Sequence, residues 1–314
     1  IHFIYFYIFY LNIIILLSIF DKMPKKKFIN KKEICLFASE LSNLIGISNF
    51  KPPSVTLLRI WEKNFPDDYR LHKQYVTDQD KELALNESSK EVFDKFKGKL
   101  EGKKQKEICI NMKKCLEEKD VNSMINKRRE LLNECQELPK KDKEKLEKSI
   151  IEMTNTNFGI KNENKSIHIY TQLTGVPVIR LNDFFKKSII KNEDYTWFIG
   201  GRIDGILENR TIIEIKNRMH KLFNKIKDYE KVQTYCYMYI LDSKKSQLVE
   251  TYMNGRVPET DMIDIDYEND FWEFILNRIL IFIDYFNTFI KSSEMKEELL
   301  VKGVDNYEMD LYNL

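Results

Sequence analysis

The sequence predicts an α/β protein in which a mixed central β-sheet is flanked by helices and a charged helical insertion interrupts the chain. Three observations carry that prediction. From Phe158 to Met253 the apolar segments follow the order helix, strand, strand, strand, helix, strand. From Lys81 to Ile151 the chain is rich in Lys and Glu, with sparse apolar residues at three- and four-residue steps. A hydrophobic fraction of 43% over 314 residues is enough for an ordinary core.

The elements follow in order. Ile1 to Phe20 is almost wholly apolar and long enough to cross a bilayer. An anchor, a signal peptide and translated non-coding sequence compete for it. The last is favoured, because Met23 opens a normal-looking start, so residues 1–22 are set apart as a leader and membrane attachment is disfavoured. Residues 23–80 form an N-terminal helical part. Ile34, Phe37, Leu41, Leu44 and Ile45 predict a helix over 31–46 that Gly46 stops, and a second helix spans Ser54 to Lys63. Residues 81–151 are the insertion, a helical lobe carrying Phe93, Phe96, Leu100, Ile108, Met112, Leu116, Met124 and Leu131.

Residues 152–314 hold the core and a C-terminal helix. A helix ends at Gly175 and a strand follows at Val176 to Arg180. Trp197 to Leu207 and Thr211 to Lys216 form a hairpin across Glu208-Asn209-Arg210. His220 to Asp242 is helical, Gln247 to Met253 a strand, and Phe271 to Ile290 a packed core helix interrupted by charges rather than a membrane span.

Composition narrows the function less. A formal charge of +2 and a pI near 8.1 exclude any argument for nucleic-acid binding from net charge. Ala38 and Ala84 are the only alanines, the mark of A/T-rich codon usage, which weakens the meaning of Lys-rich stretches. Five cysteines without a CxxC pair point to reduced intracellular thiols, and the spacing of Cys109, Cys115 and Cys135 disfavours zinc.

The chemistry is in one constellation. Glu-x-Lys recurs at Glu101/Lys103, Glu117/Lys119 and Glu163/Lys165 in polar helical surroundings, but Glu214 and Lys216 sit in a strand-like run. Alternate strand residues share a face, so both point to one side while Ile213 and Ile215 point to the other. Asp204 lies across the turn. Two carboxylates and the backbone carbonyl of Ile215 suit one or two Mg²⁺ or Mn²⁺ ions, which polarise a phosphodiester and activate water. Lys216 orients that water or stabilises developing charge. Gly200, Gly201 and Gly205 leave room for a close approach, and Gln233 supplies an amide on the following helix. The bland alternative is a surface ion pair on a half-exposed hairpin.

FIGGRIDGILENRTIIEIKNR followed by YEKVQTYCYM resembles the PD-(D/E)XK core of the phage lambda exonuclease and YqaJ-type viral recombinase family. FGIKNENKSIHIYTQLTGVPV is similar to that family's Gly-x-x-x-Glu helix and its Thr/Ser-Gly-Val turn, and FASELSNLIG to its Ala-Ser-Glu helix. The resemblance spans roughly residues 31–66 and 157–254. It implies a restriction-endonuclease-like fold and makes Glu163 a third acid near the metal. It also places Ser39 on a terminal 5′-phosphate; Lys32 stands where the family has arginine, and Arg218 joins them in contacting DNA.

The implied activity is a Mg²⁺-dependent phosphodiesterase, a 5′–3′ exonuclease on duplex DNA ends that leaves 5′-phosphate products in viral or phage-type recombination and replication. The implied partners are duplex ends, a single-strand annealing protein and further copies of the chain. The implied setting is inside a host cell, in cytoplasm, nucleus or viral factory. The rivals are a restriction-like or junction-resolving endonuclease with the same core, and an inactive DNA-end-binding protein.

Overall fold

The computed structural model describes residues 32–312, apart from positions 49, 80, 85–86, 101, 119, 136–137, 182, 193 and 255–256. The apolar run Ile1 to Phe20, and with it the leader expected over 1–22, lies outside the described residues.

The first described element corrects the sequence reading. The segment expected as one helix over 31–46 is a strand, β1 (Lys32–Phe37), then a 3₁₀ turn (Ala38–Glu40) and one turn of helix, α1 (Leu41–Leu44). Ile34 and Leu36 are buried while Cys35 and Phe37 are half-exposed, the period of two that a strand imposes. The apolar spacing fits both periods, and parallel pairing with a later strand decides between them.

Helices α2 (Pro53–Asn64) and α3 (Pro66–Asp78) follow, each with proline in its first turn. The lobe is helical as expected: α4 (Ser89–Gly98), α5 (Gly102–Glu117), α6 (Val121–Asn133) and the first half of α7 (Lys140–Thr174). Phe93, Phe96, Ile108, Met112, Leu131, Leu146 and Ile150 form a core of its own. The boundary drawn at residue 151 does not exist as a break, because α7 runs through it for 35 residues. Gly175, at φ 71°, ends α7 where the sequence placed its stop.

The remaining elements are β2 (Ile179–Arg180), β3 (Phe184–Lys191), β4 (Tyr195–Arg202), β5 (Gly205–Ile206), β6 (Ile212–Arg218), α8 (Asp228–Leu241), β7 (Lys245–Asn254), β8 (Val257–Asp266), α9 (Asn269–Phe289) and α10 (Ser293–Lys302). They complete the mixed α/β architecture the sequence predicts, in two sheets rather than one. The first has the order β1-β4-β3, with β1 parallel to β4. The second has the order β2-β5-β6-β7-β8, with β6 parallel to β7 and the other pairs antiparallel.

The expected hairpin is thus divided. The chain leaves the first sheet after Arg202 and enters the second at Gly205, so Asp204 sits in the fork between the sheets. Ile213, Ile215 and Val249 pack against Ile167 and Tyr170 of α7. The principal core joins β1, β4, α2, α8 and α9 around Trp61, Trp197, Tyr235, Phe282 and Phe286. Among the described residues, no helix is long and apolar enough to cross a membrane.

Candidate active site

Strand alternation sends Glu214, Lys216 and Arg218 to the α8 side of β6, and Ile213, Ile215 and Asn217 to the α7 side. The contacts follow that division. Lys216 Nζ donates to Glu214 Oε1 at 2.8 Å and to Gln233 Oε1 at 3.2 Å. Gln233 Nε2 donates to the same Glu214 oxygen at 2.9 Å and to the Tyr237 hydroxyl, also at 2.9 Å. Glu214, Lys216, Gln233 and Tyr237 therefore form a closed network between β6 and α8.

Asp204 enters from the fork, where its Oδ2 accepts the Ile215 amide at 2.8 Å. That bond spans the two strands expected to carry the acids and fixes Asp204 against the backbone between Glu214 and Lys216. Burial, then the Glu214 charge, pushes the Asp204 carboxyl up to about 8 from its ordinary 3.8. Glu214, 3% exposed, is likewise raised, first by burial. Burial alone would lower Lys216, but the Glu214 charge and hydrogen bond outweigh it and leave the ammonium raised.

Glu214 Oε2 is buried and has no hydrogen-bond partner. An orphaned carboxylate oxygen beside a second buried acid is a pair of hard oxygen donors that a divalent cation could satisfy.

The third acid is placed differently. On α7, Gly159 O accepts from Asn217 Nδ2 at 2.9 Å, and Ser166 Oγ donates to Asn217 Oδ1 at 2.6 Å. Glu163, four residues after one clamp and three before the other, faces β6. Its charge is felt by both Asp204 and Glu214. Its carboxylate, however, is ion-paired to Arg180 at 2.8 Å. Among the described residues, no three His, Cys, Asp or Glu side chains gather closely enough to hold a metal ion.

The DNA-contact expectations fare unevenly. Ser39 is exposed on the turn after β1, next to Ala38, whose Cβ lies against Gly201 at the edge of the Tyr237 ring. Lys32 is at the far end of β1, opposite Tyr195, with Nζ 3.8 Å above the Phe65 ring. On a helix the two would lie two turns apart on one face, but the strand alone separates them by about 16 Å. Lys32 and Ser39 therefore do not share one phosphate.

Arg218 is corrected as well. Its guanidinium pairs with Glu230 at 2.8 Å and with Glu250 through Nε at 2.7 Å, and both acids are almost fully buried. It is a structural ion pair rather than a free phosphate ligand. Glu250 also accepts from the amides of Phe223 and Asn224, and Asn224 takes φ 52°. Those bonds explain why the helix expected from His220 begins only at Asp228.

A Cβ added at Gly200, Gly201 or Gly205 would meet the protein's own atoms. A Cβ on Gly201 would lie 2.7 Å from the Tyr237 ring, and one on Gly205 would lie 2.3 Å from Val178 and 3.2 Å from the Ile179 carbonyl. Gly201 lets Tyr237 reach Gln233, and Gly205 lets β2 approach β5. Tyr237 and Arg180 are the site neighbours to which sequence reasoning gave no role. The signal for Tyr237 was its spacing of one turn from Gln233.

No family model matches this chain, and no curated protein sequence matches it. Among solved structures, it is similar to an alkaline exonuclease from Laribacter hongkongensis at 16% identity and a TM-score of 0.37, covering 59% of this chain and 90% of that one. It is similar to a phage-related exonuclease from Haemophilus somnus 129PT at 16% identity and a TM-score of 0.34, covering 45% of this chain and 73% of that one.

Proposed function

We propose that this chain is a metal-dependent DNA nuclease of the PD-(D/E)XK type that removes nucleotides from duplex ends in the 5′–3′ direction and leaves 5′-phosphates. The observation that carries the reading is the fork. Asp204, anchored on the Ile215 amide, stands beside buried Glu214 with its unpartnered Oε2, and Lys216 and Gln233 are bonded to that same glutamate.

Asp204, Glu214 and the Ile215 carbonyl would hold Mg²⁺ or Mn²⁺, one or two ions. When bound, the cation supplies Lewis acidity toward the phosphodiester and a more acidic water. The protein's own part is positional and electrostatic. Lys216 keeps its proton on Nζ and presents a positive charge beside the place where negative charge grows on the phosphate oxygens. Gln233 restrains Lys216 and Glu214 together, and Tyr237 restrains Gln233. Ser39, exposed on the turn after β1, would supply a hydroxyl to a terminal phosphate.

The test is digestion of end-labelled duplex DNA in Mg²⁺, with and without a 5′-phosphate, beside covalently closed circles. Mononucleotide release from the 5′ end is expected, together with a rate loss of about a hundredfold or more in Asp204→Asn and Lys216→Gln. Cleavage of closed circles would overturn the exonuclease reading. Full Mg²⁺-dependent activity in both variants would overturn the site.

A further inference from the structure

Among the described residues, Arg180 is the cation paired with the third acid, and neither composition nor spacing singles it out. It lies on β2, the edge strand of its sheet, directly opposite Gly205 and so one residue from Asp204 in register. Its guanidinium pairs with Glu163 at 2.8 Å and donates to the Asn164 side chain. The arginine side chain is 38% exposed and that of Glu163 22%, so water competes for the pair. Asn164 also lines a cavity of about 650 Å³ whose wall carries Lys161 and Lys165 together with Glu118 and Asp120. The guanidinium therefore sits between the acid fork and an open volume whose wall carries charges of both signs.

A planar guanidinium matches a phosphate at least as well as a carboxylate, through two parallel N–H donors. Its present partners are an acid that the active site would use and a neutral amide. We propose that Arg180 is a positioning residue that exchanges Glu163 for a backbone phosphate of the DNA, so that Glu163 joins Asp204 and Glu214 only when a strand is seated. The inference rests on the cation reading of the fork. The exchange breaks no covalent bond. One ion pair is replaced by another of the same charge type, and the freed carboxylate turns toward the cation. This accounts for a fork that gathers two acids while a third, clamped on the facing helix, is held by an arginine.

The test compares wild type, Arg180→Gln and Arg180→Gln/Glu163→Gln, with Asp204→Asn and Arg180→Lys as controls. Mn²⁺ affinity is read by calorimetry without DNA. Binding of a 5′-phosphorylated duplex is read by fluorescence anisotropy in EDTA. Loss of Arg180 should tighten Mn²⁺ about two- to fivefold and weaken DNA binding by a similar factor, the range of a partly exposed ion pair. The double variant should lose the gain in Mn²⁺ affinity but not the defect in DNA binding. A pair that only staples β2 to α7 would leave both affinities unchanged while lowering the melting temperature, and that result overturns the exchange. If wild type takes up no Mn²⁺, or Asp204→Asn takes it up equally well, the cation reading itself falls and the exchange falls with it. Arg180→Lys, which keeps the charge without the fork of donors, guards against a folding defect and should recover most of the Glu163 restraint but little of the DNA affinity.

Discussion

Replacing Asp204 by Asn should make the metal-free protein more stable, and more so as the pH rises. Asn retains an oxygen to accept the Ile215 amide, so the geometry at 2.8 Å survives while the ionisable group is lost. In the wild type the carboxyl titrates at about 8 when folded and near 3.8 when free. Between those values the folded chain keeps a proton that the unfolded chain has released. Since ν_U is then smaller than ν_N, the unfolding free energy falls with rising pH until the folded group ionises. Across the three pH steps from about 5 to about 8, at about 1.4 kcal/mol each, the upper bound is about 4 kcal/mol. Partial access of water to the fork brings the expected difference nearer 2 kcal/mol, a shift of about 5 °C for a domain of this size. The assay is thermal melting of both proteins in EDTA over that range, read as the difference in melting temperature, which cancels the titrating groups that do not interact with Asp204. Saturating Mn²⁺ should reverse the order at high pH by stabilising only the wild type. Parallel melting curves in EDTA would refute the argument that Asp204 is held protonated by burial and by Glu214.

Other perturbations of the protein have expected outcomes. Arg218→Met should destabilise the protein by about 3–5 kcal/mol in urea unfolding, because Glu230 and Glu250 would remain buried without their cation; a cost below about 1 kcal/mol would contradict the structural role. Gly205→Val should break the β2–β5 pairing, since even its Cβ would lie 2.3 Å from Val178, and both stability and nuclease rate should fall. Gly159→Ala should stabilise α7 by about 0.5–1 kcal/mol, as a Cβ there meets nothing within 4 Å and the residue is helical; a lower urea midpoint would count against it. Lys32→Ala should leave discrimination between 5′-phosphorylated and 5′-hydroxyl ends within about twofold of wild type, as its distance from Ser39 along β1 requires. A larger loss in end-labelled digestion would restore Lys32 to the phosphate site.

How far the sequence could be read depended on whether neighbours in the chain are also neighbours in space. Glu214 and Lys216 were legible because strand alternation alone puts them on one face, and Gln233 because α8 follows directly and packs on that face. The lobe was legible from its helical spacing. The strand at 32–37 was not, since Ile34, Leu36 and Ala38 satisfy a period of two as well as Ile34, Phe37 and Leu41 satisfy a helix. Only pairing with β4, some 160 residues later in the chain, resolves the two. The division of the expected hairpin between two sheets is equally non-local. So is the fate of Arg218, whose partner Glu250 comes from β7. Arg180 carried no signal, because its meaning lies in reaching Glu163 across from another element.

Helix α7 gives the molecule a mechanical property. At about 1.5 Å per residue, the rod extends about 35 Å from Lys140 to Glu163, and Asn217 grips it at Gly159 and Ser166, on either side of the glutamate. A swing of about 10° around that grip would carry the tip of the lobe through about 6 Å, yet move Glu163 by less than about 1 Å. The lobe is a long arm mounted on a short pivot, and the pivot coincides with the acid. Any displacement at the far end would be scaled down where the chemistry is proposed to occur.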